Sequence, residues 1–229
     1  MNIKFRNDSN EDEGSPQGSV AMFNKPIVIN SVDVYLDEPI AELGYYRNLL
    51  HYIRTMEEGD ELRIWVDTPG GYLDTTLAMI DAINNSEGNV TVIVSGKAHS
   101  AGGLLALAAP SLMIGDNASF MCHTASWGPG VAKHNNIVES VNYTTAQVNG
   151  IVKKYYKFFL TDQEIDMMLN GKDFWFDAEE CKNRLENRVK LQDEALAEVK
   201  LKVEQATTEV QPKVRAKRKP KVSTEVTPK

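Results

Sequence analysis

Short apolar runs alternate with helical patterns along the first half of the chain. Clusters of β-branched residues predict strands at 26–36, 61–66 and 88–94, and two short strands within 111–123. Apolar residues at helical spacing predict helices at 40–56 and 77–83, and Pro39 stands where the first of them could begin. The run 90–94 is apolar enough to predict a buried strand. Strands that alternate with helices indicate an α/β fold with a largely parallel sheet.

The pattern changes in the second half of the chain, where a long amphipathic helix is predicted over 135–160. Its apolar positions lie at intervals of 4, 7, 4, 3 and 4, at Ile137, Val141, Val148, Val152, Tyr155 and Phe159. Thr161 and Glu164 form a predicted capping box, so a further short helix should begin there. Beyond residue 176 the pattern is helical or mixed, and beyond about residue 206 the composition is that of a disordered tail.

Composition and charge divide the chain into three predicted parts. Residues 1–24 form a flexible acidic leader, 25–190 one domain with a real core, and 191–229 a charged helical or disordered tail. The chain has 229 residues and a net charge of −7, but the segment 212–221 holds six positive residues and no negative one. The rest of the chain is therefore strongly acidic, which argues against nucleic acid as the main partner. The basic cluster could bind an acidic surface or nucleic acid, although a solvated tail is the simpler interpretation.

Several classes of protein are excluded by absent patterns. No stretch reaches the roughly 18 apolar residues of a membrane span, and the N-terminus has no signal pattern, so we expect a cytoplasmic protein. The two cysteines, Cys122 and Cys181, show no CxxC spacing and are expected to be reduced, with Cys122 buried as a small hydrophobic residue. No phosphate-binding loop, dinucleotide fingerprint or zinc spacing is present, so no cofactor or metal is predicted.

The main candidate for chemistry is Ser100, which lies between the strand 88–94 and a helix of small residues. Small residues two positions before and after a serine allow a sharp turn that exposes the hydroxyl group. The helix that follows offers free backbone N–H groups to a developing oxyanion. The same pattern also fits a serine that only caps a tightly packed helix. The two interpretations remain open on this stretch alone.

A nucleophilic serine needs a base, and His123 is the best candidate of the four histidines. It ends an apolar strand, where functional residues collect. His51 lies on a predicted amphipathic helix, and His134 lies in a glycine-rich loop. His99 is adjacent to Ser100, and neighbouring side chains in a turn point apart. A buried or edge histidine without a catalytic role is the alternative for His123.

A carboxylate should orient the histidine, and Asp173 is preferred over Asp177. Asp177 has a structural role available as the N-cap of a helix, with Glu180 three residues later. Asp173 precedes the apolar run 174–176, which should carry it toward the core, where a carboxylate needs a partner. An oxyanion hole could come from the two glycines of 68–71, although an ordinary turn explains them as well.

Four motifs together resemble the family of Clp protease proteolytic subunits, which are serine peptidases of the crotonase-like fold. In chain order they are TPGG at 68–71, GKAHSAGGLLALAA at 96–109, MCH at 121–123 and GKDFWFDAEE at 171–180. The resemblance covers about residues 26 to 189. Each motif is weak by itself, but all four in this order and at fitting spacing are specific.

The resemblance implies a role for each matching residue. Ser100 would be the nucleophile, His123 the general base and acid, and Asp173 the orienting carboxylate. The backbone N–H groups of Gly71 and Ala101 would form the oxyanion hole. The chain order Ser, His, Asp also differs from that of α/β-hydrolases, in which the acid precedes the histidine.

The resemblance also implies an architecture and partners. The crotonase-like (ClpP-type) α/β fold is built from repeated strand–strand–helix units with a protruding long "handle" helix, which 135–160 would match. Family members form two stacked rings of seven subunits that enclose the active sites. Polypeptides are the substrates, and an ATP-driven unfoldase feeds the chamber, so ATP is bound by the partner and not by this chain.

Three departures from the family pattern bear on function. The histidine is followed by Thr124-Ala125 where the family usually has Gln-Pro, and the family's Gly-Leu-Ile-Asp segment is only loosely echoed in 184–189. The acidic leader and the basic tail match nothing in the main family. Such divergence indicates a bacteriophage-encoded member acting in the host cytoplasm, and processing of capsid proteins is an alternative role.

Two further alternatives stay open. A crotonase-type enzyme acting on an acyl-CoA thioester would use the same oxyanion glycines without needing Ser100. A catalytically silent ring subunit or assembly factor would assemble but never form an acyl-enzyme. The complete Ser, His, Asp set argues against a silent subunit.

Overall fold

The computed structural model describes residues 29–128 and 130–209. Within these residues the strands are β1 Ser31–Leu36, β2 Glu61–Thr68, β3 Asn89–His99, β4 Ser111–Ile114, β5 Ser119–Cys122 and β6 Phe174–Asp177. The α-helices are α1 Arg47–Thr55, α2 Leu73–Asn84, α3 Ala101–Ala108, α4 His134–Tyr156, α5 Asp162–Leu169 and α6 Ala178–Glu209, and a short 3₁₀ helix spans Leu43–Tyr46. The predicted leader at 1–24 and the basic cluster at 212–221 lie outside the described residues.

The strands form one mixed sheet in which β3 is central. The order is β1-β2-β3-β5-β6, and β4 also pairs with β3. One edge of β3 has two successive parallel partners, because β4 pairs with residues 91–94 and β5 with residues 97–99. Only β6 runs antiparallel to its neighbour, β5. The predicted α/β class with a largely parallel sheet is therefore confirmed.

Among the described residues, helices cover one side of the sheet and leave the other side partly open. Alternation along β2 places Leu62, Ile64 and Val66 in the core, where α3 packs against β2 and β3, and α2 packs against α1 and α3. Ile93 of β3 points to the opposite side and is only partly buried. The prediction of a buried strand at 90–94 is thus right for one face only, because the described helices that pack on the sheet leave the other face partly open.

The first helix begins later than predicted. Pro39 does not open it, because Ile40 is held in an extended bridge beside the loop after β2. The Ile40 N–H donates to the carbonyl of Gly70 at 2.8 Å, and the Ile40 carbonyl accepts from the N–H of Tyr72 at 3.0 Å. The helical pattern of 40–56 therefore produces only the 3₁₀ helix and α1. A long-range pairing has overridden a local preference.

The long predicted helix is present as α4 but ends at Tyr156 rather than at residue 160. Phe158 ends it with φ of 67°, a left-handed conformation that is uncommon for an aromatic residue. The capping box that follows is present, since Thr161 and Glu164 satisfy each other's backbone N–H groups. The N-terminal half of α4 is largely exposed and Val148, Val152 and Tyr155 near its end are buried. Whether α4 acts as a handle between rings stays a prediction.

A charged network joins α5 to α6. Arg184 donates to both oxygens of Glu164, at 2.8 and 2.9 Å, and to Glu180 at 2.7 Å. The guanidinium of Arg184 lies over the ring of Phe176. Both Arg184 and Glu164 have side chains that are only 20% exposed. The Arg184 hydrogen bonds lower the pKa of Glu164 from 4.5 to about 2.

We expect Glu164→Gln to lower the free energy of unfolding at neutral pH by about 2 kcal/mol, because a charged hydrogen-bonded pair is lost. Since the folded-state pKa of Glu164 is depressed, its stabilising effect is present above pH 4.5 and is lost as the pH falls toward 2. The difference in free energy of unfolding between wild type and variant should therefore shrink as the pH falls through that range. Urea unfolding at a series of pH values measures this difference. Glu179→Gln, on the exposed first turn of α6, is the matched control. An equal gap at low and neutral pH would contradict the assignment.

The C-terminal helix α6 runs without interruption from Ala178 to Glu209. The segment 184–189 lies inside it, so the chain makes no turn there. The predicted boundary at 190/191 also falls inside this helix, and the division into leader, domain and tail stays a prediction. Among the described residues, no helix combines the length and the apolar character that a membrane crossing requires.

Candidate active site

Ser100 is placed at the tight connection between β3 and α3. The strand ends at His99 and the helix begins at Ala101, so Ser100 alone makes the turn. Its φ of 55° and ψ of −120° are a strained combination for a residue with a side chain. The turn is held by the Ser100 N–H, which donates to the carbonyl of Met121 at 2.8 Å. Strain of this kind at a single serine is typical of a functional site.

The structure distinguishes between the two interpretations of the Ser100 stretch. Ser100 occupies the N-cap position of α3, but its side chain makes no capping hydrogen bond. The small residues do serve close packing, since a Cβ at Gly102 would lie 2.6 Å from Thr68 Cγ2 and one at Gly103 2.9 Å from the Ala98 carbonyl. Tight packing therefore explains the glycines. The hydroxyl of Ser100 does not cap the helix and is free to contact another group.

The group that the Ser100 hydroxyl contacts is His123, which follows directly after β5. The Oγ atom of Ser100 and the Nε2 atom of His123 lie 2.7 Å apart, a hydrogen-bonding distance. β5 is aligned with the end of β3, with Met121 opposite His99. The two residues that follow the ends of these parallel strands therefore meet at one edge of the sheet. The sequence predicts His123 as the last residue of a strand; the strand ends one residue earlier, at Cys122, and His123 lies beside Ser100.

Asp173 approaches the other side of the His123 ring. In the antiparallel pairing of β5 with β6, Cys122 is opposite Phe174, and one further step of this register places His123 opposite Asp173. The Nδ1 atom of His123 and an Asp173 carboxylate oxygen are 3.9 Å apart, longer than a hydrogen bond. The expectation that the apolar run carries Asp173 toward the core is wrong, because its side chain is 51% exposed. It precedes an edge strand whose alternation buries Phe174 and Phe176 instead.

Asp177 has the structural role predicted for it. Its carboxylate accepts the N–H of Glu180 at 2.9 Å and so caps α6. The choice between the two aspartates thus has a geometric basis: one lies beside the histidine ring and the other closes a helix end.

The other three histidines lie away from Ser100 Oγ. His99 points to the opposite side of the strand, where its Nε2 lies 2.9 Å from Ser119 Oγ and its ring meets the edge of Trp175. Burial lowers the pKa of His99, as does the nearby Lys97. His51 is exposed on α1, and His134 is exposed at the start of α4. The sequence argument that neighbouring side chains point apart holds for His99.

The loop after β2 presents backbone N–H groups beside Ser100. Ile40 bonds to Gly70 and Tyr72 on either side of Gly71, so the N–H of Gly71 itself points away from that pairing. Gly71 has φ of 154°, and a Cβ on it would overlap the carbonyl of Ile40. Ala101 is the first residue of α3, whose N–H has no intrahelical acceptor. Gly71 and Ala101 both line the cavity that contains Ser100 and His123.

A cavity of about 510 Å³ opens in front of Ser100. Its size is typical of a ligand pocket. Most of the wall is apolar, and α2, α3 and α4 contribute Leu73, Leu104, Val148, Ile151 and Val152 to it. From the sequence, the apolar positions of α4 predict only a helix and not a place in the site. Their helical spacing marks a buried face but carries no information about what that face covers.

Neither cysteine belongs to the site. Cys122 and Cys181 are both buried free thiols, as predicted for Cys122. Burial raises the pKa of both, that of Cys181 to about 12, so neither is a nucleophile at neutral pH. Within the described ranges, no cluster of His, Cys, Asp or Glu side chains is arranged to hold a metal ion.

Comparisons with known proteins point to one family. The Clp protease family model matches residues 23–184. Among solved structures, a ClpP1 variant from Listeria monocytogenes superposes with a TM-score of 0.54 and 18% sequence identity, over 66% of this chain and 86% of that chain. At this identity the match shows a shared fold. Curated protein sequences give no significant match.

Proposed function

Because the chain belongs to the Clp protease family, we propose that it is a serine endopeptidase that uses Ser100, His123 and Asp173. The observation that carries the proposal is the 2.7 Å contact between Ser100 Oγ and His123 Nε2 at a strained turn that opens into a cavity. A serine held in this way, with its hydroxyl on an imidazole and not on the helix N-terminus, is equipped for nucleophilic attack.

The proposed reaction is acyl transfer through a covalent intermediate. Ser100 Oγ attacks the scissile carbonyl while His123 Nε2 takes its proton, and the imidazolium then gives that proton to the leaving amine. Water deprotonated by His123 hydrolyses the ester and restores Ser100. The N–H groups of Gly71 and Ala101 stabilise the oxyanion in both steps. Asp173 orients the Nδ1–H group of His123 and stabilises the imidazolium. Its carboxylate lies 3.9 Å from Nδ1, and because the side chain is half exposed it is free to move closer to the ring.

The cavity supports a polypeptide substrate over an acyl-CoA. Its apolar wall beside Ser100 suits an uncharged side chain next to the scissile bond. The acyl-CoA alternative needs no hydroxyl on the histidine and leaves the Ser100–His123 contact unexplained. Capsid proteins remain within the class of polypeptide substrates.

The family forms oligomeric rings, and we extend this to two stacked rings of seven subunits with an ATP-driven unfoldase. The open side of the sheet supports a protein contact, since Tyr35, Trp65, Ile93 and Met113 are neighbours in register across four strands and form an apolar row. Tyr35 and Met113 are more than half exposed.

Sedimentation should show a mass of many subunits, and the assembly alone should cleave short peptides but not a folded protein. A monomeric mass would contradict the proposed ring. Cleavage of a folded protein by the assembly alone would contradict the proposed need for an unfoldase. A cytoplasmic location stays a prediction from the sequence.

The experiment that tests the peptidase proposal is intact mass after treatment with a fluorophosphonate, followed by peptide mapping. We expect one adduct on the chain, at Ser100. An assembled and folded sample that gains no adduct would reject the proposal in favour of a silent ring subunit.

We expect Asp173→Asn to lower kcat/KM for peptide hydrolysis by about 10²- to 10⁴-fold, because the imidazolium loses its carboxylate. Asp177→Asn is the matched control, and as asparagine also caps helices it should leave activity and stability nearly unchanged. Equal activities for the two variants would show that Asp173 has no part in the reaction.

A further inference from the structure

The C-terminal helix α6 continues far beyond the part of the chain that the family accounts for. The family match ends at residue 184, whereas α6 runs to Glu209. Its 32 residues give a length of about 48 Å, and no glycine or proline interrupts it. From Gln192 to Gln205 every side chain except Ala195 is exposed. A helix of this kind is marginal in water by itself and gains its stability from packing.

The exposed part of α6 carries an apolar stripe. Val189, Leu196, Val199 and Val203 are 53–59% exposed. With Leu185 and Gln192 they lie at intervals of 4, 3, 4, 3 and 4, at residues 185, 189, 192, 196, 199 and 203. A strict alternation of 4 and 3 is the heptad repeat of a coiled coil, in which each apolar side chain fits between residues of a facing helix. Leu201 lies on the opposite side of the helix and outside this seam.

The seam continues a face that is already packed. Cys181 is buried, and Leu185 packs against the core of the domain. Further along the helix, at Leu196 and Val199, the same face extends past the domain. No described residue covers it there. An apolar face that is covered for its first turns and then runs into solvent needs a second covering surface.

Charges beside the seam are self-complementary for one orientation. In a parallel pair, Arg188 would face Asp193 of the other copy, but Arg188 already donates to the carbonyl of Leu107 in its own domain at 2.9 Å. In an antiparallel pair with Leu196 opposite Val199, Asp193 faces Lys200 of the other copy, and two-fold symmetry makes this contact twice. Both side chains are exposed and available.

We propose that α6 pairs with α6 of a second copy of this chain in an antiparallel coiled coil, with Leu196 of one copy facing Val199 of the other. The pairing links two peptidase domains through their C-terminal ends. It does not depend on the catalytic assignment, because no residue of the seam lines the cavity in front of Ser100.

Disulfide crosslinking of the full-length protein tests the proposal. Leu196→Cys and Val199→Cys would be placed on two chains with tags of different size, co-expressed, purified and oxidised. The two native cysteines are buried and do not compete. Glu194→Cys and Leu201→Cys, co-expressed in the same way, are the matched control, since they have the same antiparallel pairing but lie on the far side of the helix.

We expect the mixed dimer of Leu196→Cys with Val199→Cys to predominate on a non-reducing gel, several-fold above either same-variant dimer and above the control. A predominant Val199→Cys dimer with itself would indicate a parallel pair and would overturn the proposal as stated. Crosslinking no stronger than the control would show that the seam is covered by something other than a second copy.

Charge exchange gives an independent measurement on the same cysteine pair. Asp193→Lys on both chains places like charges opposite each other and should lower the crosslinked fraction several-fold. Adding Lys200→Asp restores the attraction and should restore the yield. Yields that do not respond to either change would contradict the antiparallel register.

Discussion

Ser100→Ala is expected to reduce kcat/KM for peptide hydrolysis by about 10⁴- to 10⁶-fold, because loss of the nucleophile removes the acyl-enzyme route altogether. The substitution deletes one oxygen atom that caps no helix, so the fold should be unaffected. Hydrolysis of a fluorogenic peptide, measured together with the mass of the assembly, checks this result.

The chain offers a matched control in its second Ser–His contact. Ser119 lies 2.9 Å from His99, nearly the distance between Ser100 and His123, but at the opposite side of the strand. Ser119→Ala should therefore keep activity within a few-fold of wild type. If Ser100→Ala retained peptidase activity while Ser119→Ala lost it, the nucleophile would be assigned wrongly. If Ser100→Ala kept turnover of an acyl-CoA, the crotonase-type alternative would take precedence.

Gly71→Ala is the second substitution with a large expected effect, and it tests the backbone rather than a side chain. A Cβ at this position would overlap the carbonyl of Ile40, and the φ of 154° disfavours any L side chain. The loop must shift, and the Gly71 N–H then leaves the position proposed for the oxyanion. Loss of one such donor costs about 10²- to 10³-fold in kcat.

Steady-state kinetics should show this loss mainly in kcat, with thermal unfolding measured in parallel to follow the strain. Gly150→Ala is the control, because a Cβ there meets nothing within 4 Å and α4 gains about 0.5–1 kcal/mol of helix stability. A Gly71→Ala enzyme with normal kcat would show that its N–H is not part of the oxyanion hole.

The comparison of prediction with structure separates local from long-range effects. β2 and the first part of β3 follow from clusters of β-branched residues, and α2 follows from apolar residues at helical spacing. The Thr161–Glu164 capping box follows from side chains three residues apart. The first helix was predicted too early because Ile40 pairs with the loop at Gly71, about thirty residues away. The burial of 90–94 was overestimated because periodicity does not tell which face of a strand the helices cover.

The candidate site shows the same division. Residue types, chain order and family motifs selected Ser100, His123 and Asp173, and their catalytic roles stay predictions. The predicted burial of Asp173 is wrong, since the side chain is half exposed. It lies near the histidine because the register of β6 on β5 places it there, and register depends on pairing across the sheet and not on neighbours in the chain.

The sequence by itself determined the class of fold, the family and the candidate nucleophile, because these depend on short periodic patterns and on motifs in a fixed order. Only the tertiary structure decided that the Ser100 hydroxyl meets His123, that α4 walls the cavity, and that the heptad seam of α6 extends past the domain. Each of these depends on which distant segments pack together, and that choice is made by the burial of the whole core.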